Sequence, residues 1–217
     1  MKEFAKRSGV AVGETVAIIG GSVAKELARK VQPYGLTRAV GRQFELSIAK
    51  QTHRAARYAE YKGINGSIEE VHRSIRAQNK KFQVLVSPPN KFQPKRKTFD
   101  DQELRSYIRK VMFKAGQAKA GWIAAGESID SPLLKTIRGK IRKIKGVSQW
   151  IRENINASSG SSRFIRKAGL SSTVLLTNSI GYAYAGGNAN QKTWRSAIDD
   201  GYKRSITAVK ARLKSLK

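Results

Sequence analysis

Apolar residues recur at helical spacing along most of the chain. The first series runs at steps of four, three, four and four: Val12, Val16, Ile19, Val23 and Leu27. It predicts a helix over about 10–31, which ends before Pro33 and Gly35. A second series predicts a helix from Arg38 to Glu60. The last series predicts a C-terminal helix with five apolar residues facing inward: Trp194, Ile198, Ile206, Val209 and Leu213.

The most regular series follows Asp100 and Asp101, whose carboxylates suit the positive end of a helix dipole. Its members recur every three or four residues: Leu104, Ile108, Val111, Ala115, Ala118, Trp122 and Ala125. This pattern predicts a long helix with a narrow seam that packs against another helix or a subunit. Gly116 and Gly121, beside the seam, would allow the partner to approach closely.

Shorter elements lie between these helices. Ser67 and Glu70 have the spacing of a capping box, which predicts a short helix to about Asn79. Alternating patterns predict strands over 81–86 and 173–177, and residues 146–155 form a short predicted helix. Pro-, Gly- or Ser-rich composition predicts loops over 87–99 and 181–190 and a flexible connector over 158–162.

These elements predict a helix-rich α+β fold, in which long helices pack on a small, mainly antiparallel sheet. No internal repeat of fixed period divides the chain. We therefore expect a single α+β domain over 1–217, with basic extensions near 87–99 and 131–162. Six residues are candidates for packing or for an interface: Leu104, Ile108, Val111, Trp122, Trp150 and Trp194.

Charge narrows the choice of partners. The 217 residues include 43 Lys and Arg against 15 Asp and Glu, a formal net charge of +28. Such an excess points to nucleic acid, an acidic protein surface or anionic lipid as counter-charge. No run is long and apolar enough for a membrane span, so we expect no membrane partner. The absence of cysteine excludes disulfides and thiolate chemistry.

The basic residues cluster in acid-free runs, the composition that phosphate neutralisation requires. The candidates for contact with DNA or a partner are Lys91, Lys95, Arg96, Lys97, Lys135, Arg138, Lys140, Arg142, Lys143 and Lys145. A third basic run covers 203–217. Few aromatic residues accompany these runs, so any DNA contact would be non-specific and through the backbone. A solvated face, or a charge match to an acidic protein ring, explains the same runs equally well.

Motifs for catalysis and cofactor binding are missing. The sequence has no phosphate-binding loop, dinucleotide fingerprint or nucleophile elbow. Glu69 and His72 form half of a di-iron motif, but the other half is absent and a surface helix explains the pair better. The glycines of 63–66 are spaced as in a KH-module clamp, yet a helix-to-helix turn accounts for them. We predict no enzymatic activity, no metal and no cofactor.

Three stretches together resemble a known family. They are Phe4 to Val10 leading into a helix that ends near Pro33, residues 116–122 with the later 149–151, and residues 174–183 before the C-terminal helix. Their order resembles the neck and tail-completion proteins of tailed bacteriophages, small basic proteins that join head to tail. The resemblance implies helices packed on a small sheet and offers no catalytic residues. The long basic insertions depart from the family pattern.

The resemblance implies a structural virion protein of the head–tail neck or tail end, made in the host cytoplasm. Such a protein would act in tail completion, as a terminator or as a connector. It would assemble as a homo-oligomeric ring, with other neck, tail and head proteins as partners and non-specific DNA contact as a secondary possibility. The alternative is a non-specific nucleic-acid-binding protein of nucleoid or ribosomal type. It would contact phosphates through the basic runs.

Overall fold

The computed structural model describes residues 2–78, 89, 91, 93, 99–129, 143–157, 160–166, 172–179 and 191–214. Over these residues the order of elements is helix, helix, helix, helix, short helix, strand, strand and helix. Their bounds are α1 Lys2–Lys30, α2 Arg38–Lys62, α3 Ile68–Gln78, α4 Asp101–Glu127, α5 Gln149–Arg152, β1 Gly160–Arg166, β2 Ser172–Asn178 and α6 Gln191–Lys214.

The predicted fold class is confirmed: the described chain is mostly helical, with a small antiparallel sheet of two strands. The predicted helices over 10–31, 38–60, 67–79 and after Asp100 are all present. The helix predicted over 146–155 shortens to α5. The predicted strand 81–86 and loop 181–190 lie outside the described residues, as does most of the loop 87–99.

The two-stranded sheet corrects the sequence prediction for the Ser-rich connector. Residues 160–162 begin β1, which pairs antiparallel with β2 from Gly160 opposite Asn178 to Arg166 opposite Ser172. Gly and Ser have little intrinsic preference for strands, so the local composition indicated a linker. The ladder of hydrogen bonds to β2 makes these residues a strand instead.

The chain divides into two compact units. Unit 1 comprises Met1–Val40 with Lys114–Lys217, and unit 2 comprises Gly41–Phe113. Helices α2 and α4 each contribute residues to both units. The expectation of a single domain stays a prediction.

Unit 2 is built around α2, α3 and the first half of α4. Its buried cluster joins Ala55, Ala56, Ala59, Ile68, Val71, Ile75, Phe99 and Leu104. The capping box is confirmed, because the Ser67 amide donates to Glu70 Oε2 at 2.7 Å and the Glu70 amide donates to Ser67 Oγ at 3.3 Å. The Ile68 amide, another free donor of this helix end, donates to Glu103 Oε1 at 2.6 Å.

Unit 1 packs α1, α5, β2 and α6 around the second half of α4. Its main buried cluster comprises Leu27, Ala28, Leu36, Ala120, Trp122, Ile123, Ile151 and Ala197. Leu176 of β2 and Trp150 of α5 pack against this cluster while remaining partly exposed. The C-terminal end of α4 is tied to α5 by Glu127, whose Oε1 accepts from the Ile144 amide at 2.7 Å and from Arg152 Nη1 at 3.1 Å.

Candidate functional site

The residues of the α4 seam are shared between the two units. Leu104 and Ile108 are buried in unit 2, and Val111 is partly buried. Trp122 and Ala125 are buried in unit 1. The seam therefore packs within the subunit along most of its length, and its use between subunits stays a prediction.

Glycines let neighbouring elements approach the second half of α4 closely. A Cβ added at Gly121 would lie 2.5 Å from Asn178 Oδ1, and one added at Gly116 would lie 2.5 Å from Asn154 Nδ2. Asn178, at the end of β2, is buried and donates from Nδ2 to the Ala118 carbonyl at 3.0 Å. The sequence indicated the close approach but not its polar partners, because no local pattern places Asn154 or Asn178 beside α4.

Helix α6 packs on α1 through small side chains. Ala197, Gly201 and Ser205 are buried at steps of four residues, and a Cβ at Gly201 would lie 2.6 Å from Val23 Cα. The prediction that Ile198 faces inward is wrong, since half of its surface is exposed. Helix α6 turns its small residues toward α1, because they permit a close helix-to-helix contact that a larger side chain would prevent.

Two ion pairs flank this contact. Arg204 Nε lies 3.3 Å from Glu26 Oε1, and Lys30 Nζ lies 3.1 Å from Asp200 Oδ2. Glu26 is buried and also lies 3.6 Å from Arg29 Nη1. The Lys30 hydrogen bond holds the pKa of Asp200 below its usual value. The pairs fix the register of α6 along α1.

Lys119 is a buried cation at the centre of unit 1. Its ammonium donates to three backbone carbonyls: Ala28 at 2.9 Å, Val31 at 2.6 Å and Gly35 at 3.0 Å. Ala28 belongs to the last turn of α1, whose carbonyls lack partners within the helix. Burial lowers the pKa of Lys119 to about 7. Lys119 therefore joins α4 to the end of α1 and the turn after it.

The predicted basic residues fall partly within the described chain. Lys91, Lys143 and Lys145 are exposed. Seven others lie outside the described residues: Lys95, Arg96, Lys97, Lys135, Arg138, Lys140 and Arg142. Of the candidate aromatics, Trp150 is partly buried against the unit 1 cluster, and Trp194 belongs to α6.

The described residues contain a basic surface that the acid-free runs did not include. One face of α2 carries exposed residues at steps of three or four, with His53 beside them: Arg42, Leu46, Lys50, Arg54 and Arg57. These six residues, here called the α2 basic face, lie opposite the buried Ile48, Ala55 and Ala59. From the sequence alone, the cations of the α2 basic face were expected to lie on the outer faces of a helix, with no indication that they form one surface.

The described residues lack the clusters needed for metal chemistry: no group of three or more His, Asp or Glu could hold an ion. Glu69 forms an ion pair with Lys110 at 2.6 Å, and the buried His72 ring packs on Tyr107 with centroids 4.7 Å apart. The half-motif at 69–72 therefore takes part in packing and pairing. Among the described helices, none is long and apolar enough to cross a membrane.

In comparisons with known proteins, no family model, curated protein or solved structure matches the chain.

Proposed function

We propose that this chain is a non-enzymatic structural protein of a tailed-bacteriophage virion, at the neck or tail end, present as one copy in a ring. The supporting observation is that one hydrophobic core gathers the stretches that carry the family resemblance. Leu27 of α1, Trp122 of α4 and Ile151 of α5 share the unit 1 cluster, and Leu176 of β2 packs against it. Stretches far apart in sequence thus belong to one packed unit.

Ring assembly would use exposed apolar side chains of unit 1. Ile198 and Tyr202 lie one turn apart on α6 and expose 50% and 54% of their surface. Leu175 of β2 exposes 54%. Closed rings require two different surfaces of each subunit to meet, and exposed large apolar residues mark such contacts. We assign Ile198 and Tyr202 to one of these surfaces.

Purified virions from the strain that carries the gene provide the test. Mass spectrometry of the particles should find the chain in a fixed number of copies. Deletion of the gene should leave unjoined heads and tails, and expression of the chain in trans should restore infectivity. Absence of the chain from purified virions would refute the proposal.

The ring surface is tested by complementation with altered chains. Ile198→Asp with Tyr202→Asp should fail to restore infectivity, because carboxylates would replace the apolar contact. Thr207→Asp with Ala208→Asp, which introduces the same two carboxylates at other exposed positions of this helix, serves as the matched control. Equal complementation by both pairs would exclude this surface from the ring contact.

A further inference from the structure

We infer that the α2 basic face binds the phosphate backbone of duplex DNA. The inference goes beyond the virion assignment and depends only on α2, a helix of unit 2 from Gly41 onward. Arg42, Lys50, Arg54 and Arg57 supply four cations, and His53 lies among them.

The cations of the α2 basic face form a long, straight row of positive charges. Its members fall within about 120° of the helix circumference, and Arg42 and Arg57 are ~22 Å apart along the axis at 1.5 Å per residue. The major groove of duplex DNA is ~12 Å wide, so a row of this length reaches phosphates on both edges of the groove. The α2 basic face therefore has the charge and the length to contact phosphates of both strands across one groove.

Three cations of this face form no ion pair with the residues that the structure describes. In the described part of the chain, no ion pair involves Arg42, Lys50 or Arg57. The acids of α2 lie elsewhere: Glu60 is buried and accepts from the Phe99 amide at 3.1 Å, and Glu45 lies to one side of the row. Arg42, Lys50 and Arg57 are thus available to an external polyanion.

DNA fits this face better than an acidic protein does. A stable protein interface has an apolar, desolvated centre with charges at its rim. Leu46, with 62% of its surface exposed, is the sole large apolar residue among the six. A row of exposed Arg and Lys around one Leu instead has the composition of a backbone contact, in which Arg and Lys position the protein without reading sequence.

The experiment measures the affinity of the full chain for a short duplex of mixed sequence over a series of salt concentrations. The stripe variant carries Arg42→Gln, Lys50→Gln and Arg57→Gln. The matched control carries Arg105→Gln, Arg109→Gln and Lys114→Gln, three exposed cations of α4, a helix whose first turn carries Asp101 and Glu103. Both variants lose the same formal charge.

The expected result is a smaller salt dependence for the stripe variant alone. The slope of log affinity against log salt should fall by about 2.7, or ~0.9 for each phosphate contact removed. Affinity at ~0.1 M salt should fall by about 10²-fold for the same reason. The control should keep the wild-type slope, and far-ultraviolet circular dichroism should show the same helicity in all three chains.

Equal losses in the two variants would overturn the inference, because binding would then follow net charge alone. Unchanged binding by the stripe variant would also overturn it, as would tighter binding to poly-glutamate than to DNA. If the triple variant fails to fold, Lys50→Gln alone should lower the slope by ~0.9. Virion mass spectrometry is independent of this measurement, so failure of one proposal is distinguishable from failure of the other.

Discussion

Lys119 has a local environment that its position in the sequence does not reveal. In a chain with 43 Lys and Arg, a lysine beside Ala118 and Ala120 reads as one more surface cation. Its side chain is instead fully buried, and its three N–H groups meet three carbonyls. Three acceptors match the protonated ammonium, whereas a neutral amine has only two donors. Burial opposes the charge, and the carbonyls favour it.

We expect the stability of unit 1 to depend on pH through Lys119. Its pKa is about 7 in the folded chain, against 10.5 for the unperturbed group. Between these values the unfolded chain binds more protons, so the free energy of unfolding should rise with pH, by up to ~1.4 kcal/mol per pH unit. Below pH 7 both states are protonated and this gain is lost. Urea unfolding at pH 7, 8 and 9 measures the slope.

The Lys119→Met variant isolates this contribution, because it keeps most of the unbranched side chain and removes the titrating group. As the pH rises from 7 to 9, the unfolding free energy of the wild type should increase relative to that of the variant. If the unfolding free energies of the two chains changed equally with pH, the pH dependence would not come from Lys119. Should the variant not fold, a nuclear magnetic resonance titration of the Lys119 side chain in the wild type gives the pKa directly.

At the scale of elements, periodicity located the helices well and their buried faces less well. The series from Val12 to Leu27 and from Leu104 to Ala125 both lie on helices of the structure. In α6, however, hydrophobicity indicated Ile198 as inward, while Ala197, Gly201 and Ser205 form the contact with α1. Residue size decides this face, because two helix backbones can approach closely only across small side chains.

We expect the same substitution to have opposite effects at two helical glycines of unit 1. Gly201→Ala would place a Cβ 2.6 Å from Val23 Cα, and such overpacking should destabilise the chain by ~1–3 kcal/mol. Gly21→Ala meets nothing within 4 Å and should stabilise α1 by about 0.5–1 kcal/mol through helix propensity. Thermal or urea unfolding of the two variants measures both effects.

Gly21→Ala is the control for this pair, since it makes an identical chemical change on the helix that α6 contacts. Stabilisation by Gly201→Ala would show that α6 does not approach α1 as closely as the structure indicates. Destabilisation of similar size at both positions would show that close packing is not the cause.

The sequence predicted one of the two strands of the sheet. The β-branched and apolar residues of 173–177 indicated β2, whereas Gly160, Ser161 and Ser162 gave no local signal for β1. This segment is positioned by its pairing with β2 and by its close approach to Gly121. A Cβ added at Gly160 would overlap the Gly121 carbonyl. Such non-local contacts are not encoded in the composition of a short window.

At the scale of the whole molecule, charge opposes folding. In the described part of the chain Glu26, Glu69, Glu127 and Asp200 are engaged in ion pairs, while most cations are exposed. Burial is the main cause that lowers the pKa of Lys25, and the positive charge of the neighbouring Arg29 is the second. Cations of the folded chain therefore repel one another. A net charge of +28 therefore destabilises the compact state by self-repulsion.

We expect added salt to stabilise the isolated chain, because counter-ions screen this repulsion over a Debye length of ~10 Å at 0.1 M. The melting temperature should rise between low salt and ~0.3 M sodium chloride. Scanning calorimetry measures the change, with sucrose at equal osmolality as the control for exclusion effects. A melting temperature that falls with salt would show that attractive ion pairs outweigh the repulsion.

The sequence by itself determined the helices, the helix-rich class, the capping box at Ser67 and the excess of positive charge. Each of these follows from residues close together in the chain or from composition. Only the tertiary structure decided the burial of Lys119, the inward face of α6, the pairing of β1 and the exposure of the α2 basic face. These depend on which backbone comes near which side chain across many residues, and no local pattern contains that information.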